Sequence, residues 1–429
     1  MPLFRMPTMN AKSSDALDVP ANNGSLAPEA AVPLRRLPAT TDCSHDAMLV
    51  RHQRLRDAGH CVEQISGNGP EIDPALLAGS IEGFVGFARV PLGVAGPVRI
   101  QGTAAIGEFY VPLATSEGTL VASFQHAFNA INRGGGARAL CGREQVGRAP
   151  CFEFANLGEA AEFALWLPSE LPALREAVAS TSRFCRLLAM RTAIVGNTAY
   201  VVFDFSTGDA AGQNMVTLAA QRICNHLLTR TPVAPRSWLL ESMLSGDKRA
   251  TALPFGGARG RNASAEVLLP AKQIERYWRT DARSMARAWQ QAVNGSAQCG
   301  TIGLQGNVAN ALAALFIACG QDAACVVEAS TALTRIESTA SGDLYASVTL
   351  PNLIVGTVGG GTYLPTANEC LALLGCVGTG KASKFAEICA VVTLAGELAI
   401  VGAMAGGMFA QAHADGGRKG LAVATEGLA

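Results

Sequence analysis

The sequence is poor in charge, in aromatic residues and in paired cysteines, and each shortage excludes a class of protein. Charged residues make up 16% and aromatic residues 6% of the 429 residues, and lysine plus arginine equals aspartate plus glutamate at 34 each. This balance gives no reason to expect nucleic acid or an anionic membrane as a partner. The 12 cysteines contain no CxxC pair, so we expect neither a metal (zinc) site nor a disulfide framework, which suits a reducing cytoplasm.

Targeting and membrane-spanning segments are also missing from the pattern. Residues 1–30 mix Arg5, Lys12 and Asp15 with Pro, Ser and Asn, which predicts a disordered leader rather than a signal peptide. The most membrane-like stretch is residues 388–410, but Glu397 and several glycines interrupt it. A buried helix explains this stretch better than a membrane span. We therefore expect a cytoplasmic protein with no membrane partner.

The order of predicted elements indicates an α+β fold with an inserted domain. Residues 150–240 predict a helix over about 158–180, strands near 186–195 and 199–205, and a further helix, which together form a small α/β unit. Around it we expect a large helix-rich domain made of residues 83–149 and 241–429, preceded by a small helical region over 31–82. From Asp247 onward the Ala- and Gly-rich sequence predicts mainly helix.

The segment ATSEGTLVAS places a carboxylate, Glu117, beside an apolar helical pattern. Leu120, Phe124, Phe128 and Ile131 recur at helical spacing, and glycines end the pattern after residue 133. This spacing predicts that Glu117 lies in the first helical turn, partly buried, where a carboxyl group can donate or relay a proton. The alternative is a helix-start glutamate that only complements the helix dipole.

The loop STGDAAGQNM, residues 206–215, follows a predicted strand and opens a predicted helix. That arrangement points free backbone N–H groups at an anion such as a phosphate. The loop does not match GxGxxG, so an ordinary Rossmann site is not indicated. A tight turn in which Asp209 caps the helix is the alternative interpretation.

Three further charged positions are candidates for chemistry. Asp247-Lys248-Arg249 is either a surface charge cluster or a lysine that stabilises an oxyanion beside an arginine that holds a substrate carboxylate. Asp322 follows an apolar helix and would need a cation such as a lysine if buried. His413, before a glycine-rich tail, is either a helix-end histidine or the proton donor on a closing flap.

Taken together these segments resemble the 3-hydroxy-3-methylglutaryl-CoA (HMG-CoA) reductase family, in particular its NADPH-using, eukaryotic-like class. The matching blocks run in order from about Glu82 to His413: VPLGVAGP, ATSEGTLVAS, STSRFCRL, TGDAAGQNM, DKR, IACGQDAA, DLYASVTLP, GTVGGGT and AGEL. The resemblance implies a large substrate domain with an inserted ferredoxin-like NADP domain. It also implies a homodimer, or a dimer of dimers, with active sites at the subunit interface.

The resemblance implies reduction of an acyl-CoA thioester to an alcohol with two NADPH. Lys248 would stabilise the oxyanion, Asp322 would tune it, Glu117 would relay protons and His413 would protonate the thiolate. The implied substrate-binding residues are Ser123, Arg148, Asp247, Arg249 and Asn310. The implied cofactor-binding residues are Ser182, Arg183 (on the 2′-phosphate), Asp209, Gly212, Asn214, Gly359 and Gly360.

The departures from the family pattern cluster around the substrate. Glu241 replaces a serine, and Arg249 replaces a lysine. Gly83, His126, Asn129, Gln291 and Asn307 also stand where the family has other residues, several of them basic. Three interpretations stay open: an HMG-CoA reductase that makes mevalonate, a diverged enzyme that reduces another thioester bound to CoA or an acyl carrier protein, and a non-catalytic relative. The intact Glu117, Lys248, Asp322 and His413 argue against the third, and we favour the first.

Overall fold

The computed structural model describes residues 33–38, 42–257 and 259–410. Its first half contains α1 (His45–Asp57), α2 (Glu63–Ser66), β1 (Leu92–Gly102), β2 (Ile106–Ala114), α3 (Leu120–Arg133), β3 (Ala137–Arg148), β4 (Cys151–Glu153), α4 (Leu157–Trp166), α5 (Leu171–Ala179), β5 (Arg186–Val195), β6 (Thr198–Ser206) and α6 (Gln213–Arg230). Its second half contains β7 (Ser237–Leu239), β8 (Gly260–Leu269), α7 (Ala271–Trp278), α8 (Ala282–Cys299), α9 (Val308–Ala318), α10 (Val326–Ala329), β9 (Leu333–Ser338), β10 (Leu344–Leu353), α11 (Pro365–Leu373) and α12 (Ala382–Ala405).

The long strand β3 joins the two parts of the sheet. Its first residues pair in parallel with β1, its middle pairs antiparallel with β8, and residues 146–148 pair antiparallel with β6. The strands follow the order β7-β4-β6-β3-β8-β10-β9, while β1, β2 and β5 lie off this path. Arg148, the last residue of β3, therefore lies where the two parts meet.

The part built from β4 to β7 has a ferredoxin-like topology. Its elements follow the sequence β4, α4–α5, β5, β6, α6 and β7, and its strands lie in the order β7-β4-β6-β5, all antiparallel. This βαββαβ arrangement is the split-βαβ motif. Alternate residues of β6 are fully buried (Ala199, Val201, Phe203 and Phe205). The predicted α+β fold with a ferredoxin-like unit is confirmed, while the exact domain boundaries stay predictions.

The other part is built around α12, which packs against β8, β3, α3 and α9. This helix has the length and apolar composition of a membrane span, but 72% of its most apolar window is buried inside the protein. Two carboxylates on it, Glu387 and Glu397, are fully buried and accept backbone N–H groups from neighbouring loops and from β3. A helix with such contacts is a core element of the fold, as the interrupted apolar pattern predicts.

The structure differs from the predicted elements in two places, the region after Asp247 and the helix over 158–180. The region after Asp247 is rich in helix, as predicted, but it also holds β8, β9 and β10, an antiparallel run that the prediction did not include. The helix predicted over 158–180 is broken into α4 and α5 by a short turn that contains Pro168, which has no N–H to continue the helix. Among the described residues of 31–82 every regular element is helical, namely α1, α2 and one 3₁₀ turn, and the bounds of this region stay a prediction.

Candidate active site

Glu117 lies in the loop between β2 and α3 rather than in the first turn of α3. The helix begins at Leu120, and the residue before it, Thr119, has a left-handed φ of 69° that separates the loop from the helix. The backbone N–H of Glu117 donates to Thr115 Oγ1 (2.9 Å), and its side chain is exposed. The partial burial that the helical pattern predicted is therefore absent, and the carboxylate reaches solvent.

The structure brings Glu117 to a second predicted residue, Asn310. The Nδ2 of Asn310, in the first turn of α9, donates to Glu117 Oε2 at 2.6 Å, although the two residues are 193 positions apart. Ser123, the predicted substrate residue on α3, lies one turn into that helix and is half-buried. The loop before α3 and the start of α9 thus bring a predicted catalytic residue, Glu117, into contact with a predicted substrate-binding residue, Asn310.

The predicted pair of Lys248 and Asp322 is present. Lys248 Nζ lies 2.8 Å from Asp322 Oδ2, and both side chains are partly accessible, at 43% and 36%. The hydrogen bond to Asp322 raises the pKa of Lys248 above its ordinary value. Burial acts to raise the pKa of Asp322, but hydrogen bonds from Lys248 and Gln213 outweigh burial and hold this pKa below its ordinary value. The lysine therefore stays protonated and the aspartate ionised around neutral pH.

Arg148 and Asp247 lie together behind Lys248. Arg148 is buried, and its Nη1 donates both to Asp247 Oδ2 (3.1 Å) and to Glu241 Oε2 (3.2 Å). The Nε of Arg148 is buried without a hydrogen-bond partner. Arg249 is half-buried and donates to the carbonyl oxygen of Asp247 (2.8 Å). Glu241, the departure from the family pattern, thus shares with Asp247 the arginine predicted to bind the substrate.

A buried ion pair that no sequence pattern predicts supports this loop. Arg259 is 2% exposed, and its guanidinium donates to Glu328 Oε2 (2.7 Å), Asp247 Oδ1 (2.6 Å) and the carbonyl oxygen of Gly147 (2.9 Å). Glu328, fully buried, also accepts the backbone N–H of Lys248 (3.2 Å). These contacts hold Lys248 in a left-handed conformation, with a φ of 55°, which is costly for a residue other than glycine.

A cleft of about 640 Å³ connects the Lys248–Asp322 pair to the predicted cofactor loops. Gly359 and Gly360 have left-handed φ values of 71° and 55°, and no atom lies near the position that a Cβ would occupy, so their backbone faces open space. Gly212, with a φ of 77°, opens α6 and leaves the first N–H groups of that helix without helical partners. The cleft is lined by both loops and by the pair, including Gly212, Asn214, Lys248, Asp322, Gly359 and Gly360.

Three other predicted cofactor residues are not among those that line this cleft. The carboxylate of Asp209 accepts the N–H groups of Gly380 (2.7 Å) and Ala382 (3.0 Å), so it caps α12 and not, as one interpretation had it, the adjacent helix α6. Ser182 Oγ contacts the sulfur of Met215, which lines the cleft. The exposed guanidinium of Arg183 lies 4.7 Å from the centre of the Phe184 ring. Their cofactor contacts stay predictions.

A second cleft, of about 660 Å³, runs along α3 beyond Glu117. Arg36, Arg133 and Arg276 contribute three guanidinium groups to its lining, together with Ala122, Gln125, His126, Asn129, Asn132 and Tyr277. Burial lowers the pKa of His126, so this imidazole is neutral around neutral pH. His126 and Asn129 were the positions where the sequence lacked the basic residues of the family, and the nearby arginines supply positive charge from other positions.

His413 lies outside the described residues, so its predicted role stays a prediction. Across 33–38, 42–257 and 259–410, no group of three or more His, Cys, Asp or Glu residues has the arrangement of a metal site. All 12 cysteines fall within these ranges and are free thiols.

The comparisons with known proteins agree on one family. A family model described as hydroxymethylglutaryl-coenzyme A reductase matches residues 47–418. The chain is 41% identical over 350 residues to the 3-hydroxy-3-methylglutaryl-coenzyme A reductase of Pyrococcus abyssi, covering 80% of this chain and 86% of the relative. It is 39% identical to that of Methanothermobacter thermautotrophicus, covering 87% and 94%.

The fold is also similar to that of solved structures. The class II reductase of Streptococcus pneumoniae, solved with bound NADPH in open conformations, superimposes with a TM-score of 0.67 at 19% identity, covering 84% of this chain and 97% of that one. At this identity the likeness concerns the fold. With the family match over most of its length, the chain is an oxidoreductase that belongs to the hydroxymethylglutaryl-coenzyme A reductase family.

Proposed function

We propose that this enzyme reduces HMG-CoA to mevalonate and free CoA with two NADPH. The observation that carries the proposal is the ion pair of Lys248 and Asp322, which lies in the wall of the cleft whose other wall is formed by glycine loops. A thioester reduction needs a cation where negative charge develops on oxygen, beside a place for a dinucleotide. Lys248 and the glycine loops line the same cleft, so the cation and the space for a dinucleotide lie side by side.

The residues along the cleft fit NADPH. The start of α6 after Gly212 offers free N–H groups to the pyrophosphate, and the open backbone of Gly359 and Gly360 allows close approach. Arg183, whose guanidinium is exposed, would pair with the 2′-phosphate in the bidentate way that guanidinium groups favour. Bound NADPH would supply the hydride for each of the two reductions.

Lys248 would act on the substrate oxygen in both reductions. Its ammonium group donates to the carbonyl oxygen of the thioester, and later of the aldehyde, as each takes on negative charge. Asp322 keeps the lysine protonated and limits its motion through the 2.8 Å contact. Removing such an oxyanion donor lowers kcat by about 100- to 1,000-fold in other enzymes.

The proton transfers fall to Glu117 and His413 in this proposal. Glu117 would deliver the proton to the alcohol oxygen, and Asn310 would orient the carboxyl group through its 2.6 Å hydrogen bond. His413 would protonate the thiolate of CoA as it leaves, because an imidazole titrates near neutral pH. The hydrogen bond between Glu117 and Asn310 supports their assignment to a single step.

The acyl-CoA would use the remaining predicted residues. Arg148, Asp247 and Arg249 would bind the acyl group with Ser123, and the second cleft would take the phosphate end of CoA through Arg36, Arg133 and Arg276. Guanidinium groups bind phosphates well because their donors match the phosphate geometry. The cleft begins one turn after the Glu117 loop, as a long substrate requires.

One observation favours a second candidate, reduction of a thioester whose acyl chain has no free carboxylate. Nη1 of Arg148 already donates to two carboxylates, Glu241 and Asp247, and Glu241 is fixed further by the N–H of Met243 (2.7 Å). A third carboxylate at Arg148 would meet repulsion from both. An uncharged acyl group would leave this arrangement undisturbed.

An assay with two substrates distinguishes the candidates. We expect HMG-CoA to give two NADPH oxidised for each thiol released. Oxidation with 3-hydroxybutyryl-CoA, which has no second carboxylate, and none with HMG-CoA would favour the second candidate. In that case Glu241→Ser should create activity with HMG-CoA, since the serine removes one of the two competing carboxylates. No NADPH oxidation with either thioester would contradict both candidates.

We also propose a homodimer, or a dimer of dimers, in the cytoplasm. Val85 is fully exposed and Phe87 is half-exposed in the segment before β1, although both are apolar. Covering such a segment by a second copy would remove apolar surface from water. Sedimentation velocity at micromolar concentration should give twice or four times the monomer mass, and a monomer would contradict this proposal.

A further inference from the structure

Gln213 contacts the pair of Lys248 and Asp322, although no sequence pattern distinguishes it from its neighbours. It is the first residue of α6, directly after the left-handed Gly212. Its side-chain Nε2 donates to Asp322 Oδ2 at 3.1 Å, and this oxygen is the one that pairs with Lys248 Nζ at 2.8 Å. Two donors from different parts of the chain therefore converge on one carboxylate oxygen.

Asp322 has few other restraints. Its Oδ1 accepts the N–H of Ala324 (3.0 Å) in its own turn, and about a third of its side chain is exposed. A local contact of this kind leaves the orientation of the second oxygen open, and an exposed aspartate populates several rotamers. The amide of Gln213 selects the rotamer that meets Lys248.

The amide is itself fixed. Its Nε2 also lies 3.2 Å from the sulfur of Cys325, a buried residue three positions after Asp322. The main-chain carbonyl of Gln213 accepts Arg148 Nη2 at 3.4 Å. One residue therefore touches the arginine of the acyl site, the carboxylate of the catalytic pair and, through its place in α6, the wall of the cofactor cleft.

We infer that Gln213 is a positioning residue, which holds Asp322 against Lys248 and so fixes the ammonium group that meets the substrate oxygen. The inference rests on the proposed thioester reduction for its catalytic consequence. That the amide orders the Lys248–Asp322 pair does not depend on the substrate. The effect on kcat and the effect on the ion pair are therefore measured separately.

The kinetic test uses Gln213→Met, which keeps the length of the side chain and removes both donors. We expect kcat for thioester reduction to fall about tenfold, with the KM values for acyl-CoA and NADPH within twofold of the wild type. Gln221→Met is the matched control, because Gln221 lies on the same helix and bonds Asn225 one turn further on. The control should retain wild-type kcat, and an unchanged kcat in Gln213→Met would overturn the inference.

A titration that needs no turnover tests the same contact. The chain has six lysines, so reductive methylation with ¹³C-formaldehyde gives a simple spectrum in which Lys248→Arg identifies the Lys248 signal. In Gln213→Met the Lys248 signal should titrate at lower pH than in the wild type, with the other lysines unchanged. An unmoved Lys248 titration would overturn the role of Gln213. A wild-type enzyme that oxidises no NADPH would refute only the proposed reaction.

Discussion

Two ion pairs serve the loop that carries Lys248, and they differ in burial. The side chains of Arg259 and Glu328 are 1% and 0% exposed, whereas those of Lys248 and Asp322 are 43% and 36% exposed. The buried pair contacts the backbone N–H of Lys248 and the side chain of Asp247. The accessible pair includes the ammonium group of Lys248. This difference in burial indicates different roles. Breaking a buried ion pair lowers the free energy of unfolding strongly, whereas an accessible pair contributes little to stability and can contact a substrate.

The largest effect should follow from breaking the buried pair. Glu328→Gln leaves Arg259 charged and poorly compensated in the interior, and we expect the free energy of unfolding in urea to fall by about 3–5 kcal/mol. The folded fraction should also lose kcat, because Lys248 and Asp247 lose their support.

Glu387→Gln is the control for this variant. Glu387 is also fully buried, but it accepts N–H groups at residues 103–105 and 141, away from Lys248. It should lose stability and keep the kcat of its folded fraction. Equal loss of kcat in both variants would contradict the support that we assign to Glu328.

The accessible pair should show the opposite behaviour. Lys248→Ala removes the proposed oxyanion donor, so kcat should fall by about 100- to 1,000-fold, while the urea midpoint changes little. Lys272→Ala, at an exposed lysine on α7, is the matched control and should leave kcat unchanged. A Lys248→Ala variant with wild-type turnover would rule out the mechanism.

The smallest effect concerns the dependence of stability on pH. The pKa of Asp322 is lowered in the folded state, so its contribution is present above the ordinary value of 3.8 and is lost as pH falls through the folded value. The pKa of Lys248 is raised, so its contribution is present below 10.5 and is lost at higher pH.

The stability difference between the wild type and Asp322→Asn should therefore be constant from about pH 5 to 9 and shrink below pH 4. Its size should stay under about 1 kcal/mol, since solvent screens the pair. Urea unfolding across this range measures it, and a difference that grows toward low pH would have the wrong sign.

Elements with a clear period were predictable from the sequence. The helical spacing before Gly134 predicted α3, and the β-branched and aromatic residues of 186–206 predicted β5 and β6. The strands β8 and β10 were missed, although Ala263, Ala265, Val267 and Leu269 alternate in the sequence and are buried. Small residues hide this alternation because alanine is also a strong helix former.

The site was predictable only where family motifs mark it. Lys248 and Asp322 were expected to pair, and they do. Nothing in the local sequence distinguishes Glu328 from an ordinary helix carboxylate, or Arg259 from a surface arginine, because their burial depends on packing between distant segments. The start of α3 was predicted about one turn too early, and this put Glu117 inside the helix. The spacing of apolar residues does not show at which residue a helix begins.

The carboxylate cap of Asp209 on α12 gives that helix a fixed reference point. One end of α12 is bonded to the loop that precedes α6, and its other end lies eight residues before His413. Each residue of a helix adds a rotation of about 100° and a rise of about 1.5 Å. A single insertion or deletion inside α12 would therefore turn the end of the helix, at Ala405, by more than a quarter of a circle relative to the loop that carries Asp209. The length of α12 therefore sets the orientation of its last turn relative to the loop that carries Asp209.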